Sequence, residues 1–323
     1  MKMIGRVLTG PTASGKSALA LELARKKGWD IVCMDSMQIY RGLEIGTAKP
    51  TLAERKMVRH HMLDILDPWE SYSVSQYREQ AENLVRKLWQ EEHREVLFVG
   101  GTGLYLQAMM HPMGMGQVPP NAQRRAELWD LADQTGGREQ LHHLLEELDP
   151  ATADRLPVND LKRVIRAIEV TEATGVPFSK QPSREMSSEF DWRVVSTRLP
   201  REVLYERINR RVDEMIRAGL ADEVRGLLSQ GVTETAQSMA GLGYKEMIPY
   251  LRGEQTLSET VEAIQLGTRH YAKRQMTFLR REPAVQYVDV LEKNAEKVLE
   301  DFLTGTAATE RTKKELAKHI GTW

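Results

Sequence analysis

The fold turns on IGRVLTGPTASGKSALALELARKK, residues 4–27. IGRVLT at 4–9 reads as a short buried strand. Ala18, Leu19, Leu21, Leu23 and Ala24 give 15–27 the spacing of an amphipathic helix. Between them lies Gly10-Pro11-Thr12-Ala13-Ser14-Gly15-Lys16-Ser17, a match to G-x-x-x-x-G-K-[ST]. The glycines let backbone N–H groups converge on phosphate oxygens, and the helix start adds its partial positive charge. Lys16 would neutralise the outer phosphate and the Ser17 hydroxyl would reach Mg²⁺. A turn can carry such a string by chance; the strand before it and the helix after it are the context that the phosphate reading requires.

Further along, WDIVCM at 29–34 reads as a second strand ending at Asp35, and EVLFV at 95–99 as another, after a helix over 73–93. Strands alternating with helices predict a parallel sheet covered on both faces. A nucleotide-hydrolysing site expects a later strand ending in an Asp for the metal. The strand at 95–99 runs into Gly100-Gly101-Thr102 instead, and the apolar run that ends in Asp is the early one. Asp35 therefore falls at the carboxyl edge of the sheet, where open α/β sheets bind ligands. An isolated Asp at that point would more often cap the next turn. An acid beside the phosphates suits small-molecule kinases and, more broadly, group transfer.

Past residue 111 the pattern changes. HPMGMGQVPPN at 111–121 is loop-like, 122–175 shows helical periodicity that includes Leu141, Leu144, Leu145 and Leu148, and 177–191 is again loop-like. Strand character returns at 192–199, followed by helices at 201–218, 220–230 and 256–281. The expected fold is α/β: a P-loop NTPase-like parallel sheet core from 1–111 and 191–285, a helical insertion domain at 112–190, and a C-terminal helical tail at 286–323 with surface helices at 293–303 and 309–319.

The 323 residues are 41% hydrophobic and 28% charged, which reads as soluble and globular. No apolar run approaches the ~20 residues of a membrane span, and the N-terminus lacks the layout of a signal peptide. The single cysteine, Cys33, excludes an intrachain disulfide and a multi-cysteine zinc site, and points to a reducing cytoplasm. The net charge of −1, from 45 basic and 46 acidic residues, names no partner; clustering of the basic residues would matter more.

Several blocks, in order, carry a resemblance: GPTASGKS at 10–17, DSMQIYRGLEIGTAKP at 35–50, VGGTGLY at 99–105, RVIRAIEV at 163–170, RINRRVDEMIRAGLADEV at 207–224, GLGYKE at 241–246 and RHYAKRQMTFLRR at 269–281. Together they resemble the tRNA dimethylallyltransferases over about residues 4–285. The resemblance implies transfer of a dimethylallyl group from dimethylallyl diphosphate to the exocyclic amine of an adenosine next to the anticodon. The phosphate loop (Gly10, Thr12, Ala13, Ser14, Gly15, Lys16, Ser17) would then grip an isoprenoid diphosphate, with Mg²⁺ at Ser17. Asp35 would act as general base. Thr102 would lie near the reacting base, and Arg211 would reach over the diphosphate with its planar fork. On residues alone, Arg211 would be read as a surface ion-pair partner of Asp213 or Glu214, and Arg207 remains open between the two roles.

The same resemblance implies a tRNA held at its anticodon stem-loop with one base drawn from the stack. Asp35, Ser36, Met37, Gln38 and Thr102 would meet that base. Arg125, Lys162, Arg163 and Arg166 in the insertion, with Lys273 and Arg274 in a block 269–281 that holds no acid, would meet the RNA backbone. Phe278 stands where the family usually has Trp, and the lone cysteine excludes the zinc finger of some relatives, so the form is the shorter, bacterial-like one. A monomer is expected. Two other readings compete: an ATP-dependent small-molecule or nucleotide kinase, and an RNA-binding module whose phosphate loop is vestigial. Intact Lys16, Ser17 and Asp35 argue against decay.

Overall fold

Six strands form one parallel sheet: β1 (Met3–Thr9), β2 (Asp30–Cys33), β3 (His60–His61), β4 (Val96–Val99), β5 (Phe190–Arg198) and β6 (Val285–Asp289), in the order β3-β2-β4-β1-β5-β6. The structure, a computed structural model, describes residues 2–111, 118, 121–181 and 189–306. β1 is central, with Leu8 paired to Val99 on one side and to Val195 on the other. Its residues are buried almost throughout, as both faces of a parallel sheet require. The loops after β1, β2 and β4 therefore leave the same sheet edge side by side. That edge carries the phosphate loop, Asp35 and Gly100-Gly101-Thr102.

Thirteen α-helices complete the described chain: α1 (Lys16–Lys27), α2 (Leu52–Met57), α3 (Val74–Gln90), α4 (Gly103–Met110), α5 (Ala122–Ala132), α6 (Gly137–Leu148), α7 (Pro150–Ala153), α8 (Leu161–Thr174), α9 (Arg201–Arg217), α10 (Leu220–Ser229), α11 (Tyr244–Leu251), α12 (Leu257–Leu279) and α13 (Ala295–Thr304). The chain divides into two compact units, Met1–Met109 with Ser188–Trp323, and Met110–Ser187. The sheet unit is closed on one side by a core that includes Leu8, Leu23, Ile31, Leu97, Val195 and Leu299. The helical unit is held by Leu128, Leu141, Leu145, Val164 and Ile168 from α5, α6 and α8, all essentially without solvent contact.

The expected helical tail after 285 needs correction. Residues 285–289 are the sixth strand, paired with β5 from Val194↔Val285 to Arg198↔Asp289. α13 is not a surface appendage, because Leu299 and Leu303 lie fully buried in the same core as Leu8 and Val195. An i,i+4 leucine pair marks an apolar face without saying what covers it. The expected helix at 309–319 lies outside the described residues. β3, only two residues long, was not anticipated either.

Candidate active site

The phosphate loop is shaped by close approaches that admit few side chains. Gly10 has φ 145°, and a Cβ there would sit 2.0 Å from Thr197 Oγ1. Ala13 adopts a left-handed φ of 60°, a conformation that costs an L residue about 1–2 kcal/mol. It packs against Leu204 and Ile208 of α9 and Ala272 and Met276 of α12. The first N–H groups of α1 have no intrahelical acceptor, which leaves them for an anion. Lys16 lines the chamber beside the loop, together with Thr12, Ser17, Asp35 and Arg211. Burial first, and then the charge of Arg211, push its pKa down to about 8, against the pull of Asp35. Burial also lowers the proton affinity of Arg211. Two half-buried cations beside one carboxylate form a site with positive charge to spare.

Ser14 does not join them. Its hydroxyl is 2.6 Å from Thr197 Oγ1 and fully buried, and its N–H donates to Pro11 O at 3.3 Å. The residue locks the loop to β5 instead of facing the chamber.

Asp35 follows β2 directly. Its Oδ1 accepts the Met37 N–H at 2.9 Å, so the carboxylate does cap its own turn, yet it also lines the chamber that holds Lys16. Capping and chemistry are compatible, because among the described residues Oδ2 has no protein donor. Thr102 ties the acid loop to the end of β4: its N–H donates to Met34 O at 3.2 Å, and its Oγ1 accepts the Ser36 N–H at 3.0 Å. Gly100 is obligatory beneath this contact, since a Cβ would lie 2.1 Å from Met34 O.

Gln38 is engaged at both ends. Its amide donates to Thr47 O at 3.0 Å and Ala48 O at 3.3 Å, and its carbonyl accepts from the Cys33 thiol at 3.3 Å. It serves as a strut between the acid loop and 47–48, and it lines the Lys16 chamber. Burial, followed by the charge of Asp35, raises the pKa of the Cys33 thiol, which keeps it protonated as that donor.

Two residues of α12 complete the centre and went unnoticed in the sequence. Gln275 accepts the Thr12 N–H and donates to Gly101 O, both at 2.9 Å, so that it bridges the phosphate loop and the β4 loop. The Tyr271 hydroxyl meets Thr102 and Gln275, and burial raises its pKa to about 12. Both fall inside the block 269–281, where attention to positive charge hid them. Phe278, in the same block, packs its ring against Gly103.

Two chambers open on this centre. The first runs from Lys16 and Ser17 along α1 past Ala20 and Leu21 to Ile31 and Leu63. The second is lined by Ser36, Met37, Gly241, Thr268 and Arg274 among others. Thr12, Asp35, Thr47, Arg211 and Tyr271 line both. The first chamber sets Lys16 and the hydroxyls of the phosphate loop beside Ala20, Leu21, Ile31 and Leu63, and the second sets the acid-loop edge beside Ile208, Val212 and Leu242. They meet at a carboxylate.

The basic residues expected to touch RNA divide into two groups. Lys273 and Arg274 are exposed on α12, with the Arg274 guanidinium 5.7 Å from the Tyr271 ring centre. Arg269 donates to Asn209 Oδ1 at 2.7 Å. In the helical unit, Lys162 is exposed and Arg163 pairs with Asp160 at 3.1 Å. Arg125 instead places both arms of its fork on Glu169, at 2.9 and 2.6 Å, and Arg166 lies 3.7 Å from the same buried carboxylate and donates to Val118 O at 2.9 Å. Arg124 is bound to Glu172 and Glu127. On α9 it is Arg210, not Arg211, that comes within 3.9 Å of Glu214.

A phosphate loop beside a carboxylate at the meeting of two chambers, in a parallel α/β sheet, is the arrangement of a P-loop group-transfer enzyme. Residues 38–282 match the family model described as IPP transferase. The chain belongs to that family. It is 40% identical over 300 residues to the tRNA dimethylallyltransferase of Carboxydothermus hydrogenoformans, covering 92% of this chain and 96% of that protein. With the enzyme of the same name from Pelotomaculum thermopropionicum it shares 42% over 285 residues, 88% and 90% of the two chains. The solved tRNA isopentenylpyrophosphate transferase of Bacillus halodurans is similar at TM-score 0.69 and 35% identity, over 98% of this chain and 99% of that one. Among the described residues no helix is long and apolar enough to cross a membrane.

Proposed function

We propose that this chain transfers a dimethylallyl group from dimethylallyl diphosphate to the exocyclic amine of the adenosine 3′ to the anticodon in tRNA, giving isopentenyladenosine and free diphosphate. The observation that carries the reading is the meeting of the two chambers at Asp35, with Lys16 and Arg211 half-buried beside it. The diphosphate sits at the phosphate loop and the five-carbon chain against the apolar side chains of the first chamber, Ala20, Leu21, Ile31 and Leu63. The adenine enters the second. Its amine nitrogen forms a bond to C1 of the prenyl group while the C1–O bond breaks, and the electron pair leaves with diphosphate. Asp35 accepts the amine proton. Lys16 and Arg211 take up the charge that develops on the leaving oxygens. Thr102 and Tyr271 hold the edge of the acid loop.

The donor set suits Mg²⁺. Among the described residues no cluster of three His, Cys, Asp or Glu side chains forms an all-protein metal site, whereas the Ser17 hydroxyl and Asp35 line the chamber together. Mg²⁺ ordinarily takes one or two protein ligands and completes its shell with phosphates and water; when bound, it would further neutralise the diphosphate.

Lys273, Arg274 and Lys162 are exposed and suited to the RNA backbone, with Arg163 beside Lys162. Ser36 and Met37 line the base chamber. A cytoplasmic location suits an enzyme whose substrate is tRNA. A kinase is not favoured, because β4 ends in Gly-Gly-Thr without a metal-binding Asp. Incubation with labelled dimethylallyl diphosphate and unmodified tRNA should label the tRNA. Label transferred from ATP to a small molecule, with none passing from the prenyl donor, would overturn the reading.

A further inference from the structure

The segment 44–48 borders both chambers through its last three residues. Gly46 lines the second, Ala48 the first, and Thr47 both. What holds its crest is a single carboxylate from α10. Glu223 Oε2 accepts the N–H groups of Glu44 at 3.0 Å and Ile45 at 2.7 Å; Oε1 accepts the Gly46 N–H at 3.2 Å and the Tyr244 hydroxyl at 2.6 Å. Three successive backbone N–H groups turned onto one anion form a nest, and charge-assisted bonds of this kind are about twice as strong as neutral ones. Tyr244 braces the same crest from α11: its ring lies so close to Gly46 that a Cβ there would be 2.5 Å from the ring edge. Glu223 itself lines neither chamber.

We propose that Glu223 is a positioning residue for the transfer step, fixing the 44–48 segment so that donor and acceptor meet at Asp35 in register. The proposal rests on the prenyl-transfer reading above. The chain of contact is short. Glu223 holds 44–46, and Thr47 O and Ala48 O accept from Gln38, which belongs to the acid loop. The base of the segment has a separate anchor, because buried Lys49 donates to Tyr40 O, Glu44 Oε1 and Asp64 Oδ1. Losing Glu223 therefore loosens the crest without releasing the loop.

Glu223→Gln tests this. An amide cannot accept at both ends. With its nitrogen on the Oε1 side, Tyr244 can turn to accept, and the Gly46 N–H, next to Thr47, loses its partner. The expected result is a fall in kcat of roughly tenfold, the scale of a small misalignment of reactants. KM for dimethylallyl diphosphate and for an anticodon stem-loop should stay close to wild type. Tyr244→Phe, which deletes one of the four bonds, should lower kcat in the same direction by less, and it decides the matter if Glu223→Gln fails to fold. An unchanged kcat per folded molecule overturns the proposal, as does a loss confined to the amount of folded protein. If wild-type enzyme transfers no prenyl group, it is the assignment of the reaction that fails, a different outcome from an active wild type with an equally active variant.

Discussion

Arg211 presses on Lys16: the two cations line one chamber, and the guanidinium, after burial, is the main cause of the lysine's depressed proton affinity. Lys16 titrates near 8 in the folded protein, against an ordinary 10.5. Between those values the unfolded chain holds more protons, so this group adds stability as pH rises from 8 to 10.5; below 8, keeping the buried charge opposes folding. Lys16→Met should therefore raise Tm at pH 7, by on the order of 1–2 kcal/mol of stability, and flatten the rise above pH 8, while abolishing transfer. Thermal melts across pH 7–10.5 would check it; a lower Tm at pH 7 would contradict the assignment.

Dimethylallyl diphosphate binding should weaken as pH rises past 8, because the free enzyme then loses the Lys16 proton that the anion needs. Calorimetry in buffers of different ionisation enthalpy should show proton uptake on binding near pH 8, and Lys16→Met should show none.

Asp35→Asn should retain both substrates and slow transfer by roughly 10²–10⁴-fold, the scale of a lost general base. Because Oδ1 also caps the Met37 N–H, Asn is the substitution to make; its side-chain oxygen can keep that cap. Single-turnover rates with stem-loop RNA would measure it, and a wild-type rate would reduce Asp35 to a cap.

Ser14→Ala should leave KM for dimethylallyl diphosphate unchanged and cost about 1 kcal/mol of stability, since its hydroxyl is spent on Thr197. A raised KM at unchanged stability would return Ser14 to the diphosphate.

Neutralising Lys273 and Arg274 together should weaken stem-loop binding and lower the slope of log K against log salt by up to about 2, with KM for the prenyl donor unaffected. Arg125→Ala should act differently. It strips the main partner from buried Glu169, so the helical unit should lose stability, measurable by hydrogen exchange in α5 and α8. A reduced salt slope without loss of stability would reassign Arg125 to the RNA.

How much of this could be read from the chain depends on distance along it. The positions of the phosphate loop and of Asp35 were legible because strand, turn and helix are contiguous in the chain. β6 and α13 were not, because VQYVD is a short edge strand and the leucines of α13 do not say what covers them. The partner of Arg125 lies on another helix at Glu169, and Gln275 reaches Thr12 and Gly101 across the whole fold; no local spacing encodes either pairing. The bond of the Ser14 hydroxyl to Thr197 on β5 was hidden for the same reason.

The aperture framed by Thr12, Asp35, Thr47, Arg211 and Tyr271 also sets a rule for inhibition. A molecule filling one chamber leaves the other open, so a simple mimic of either substrate competes with only one of them. A tethered ligand is different. An anionic head in the first chamber, joined through the aperture to a flat heterocycle in the second, makes the second contact within a complex already formed, at the high effective concentration of a short linker. The width between Thr47 and Tyr271, more than the affinity of either end, would then decide which linkers succeed.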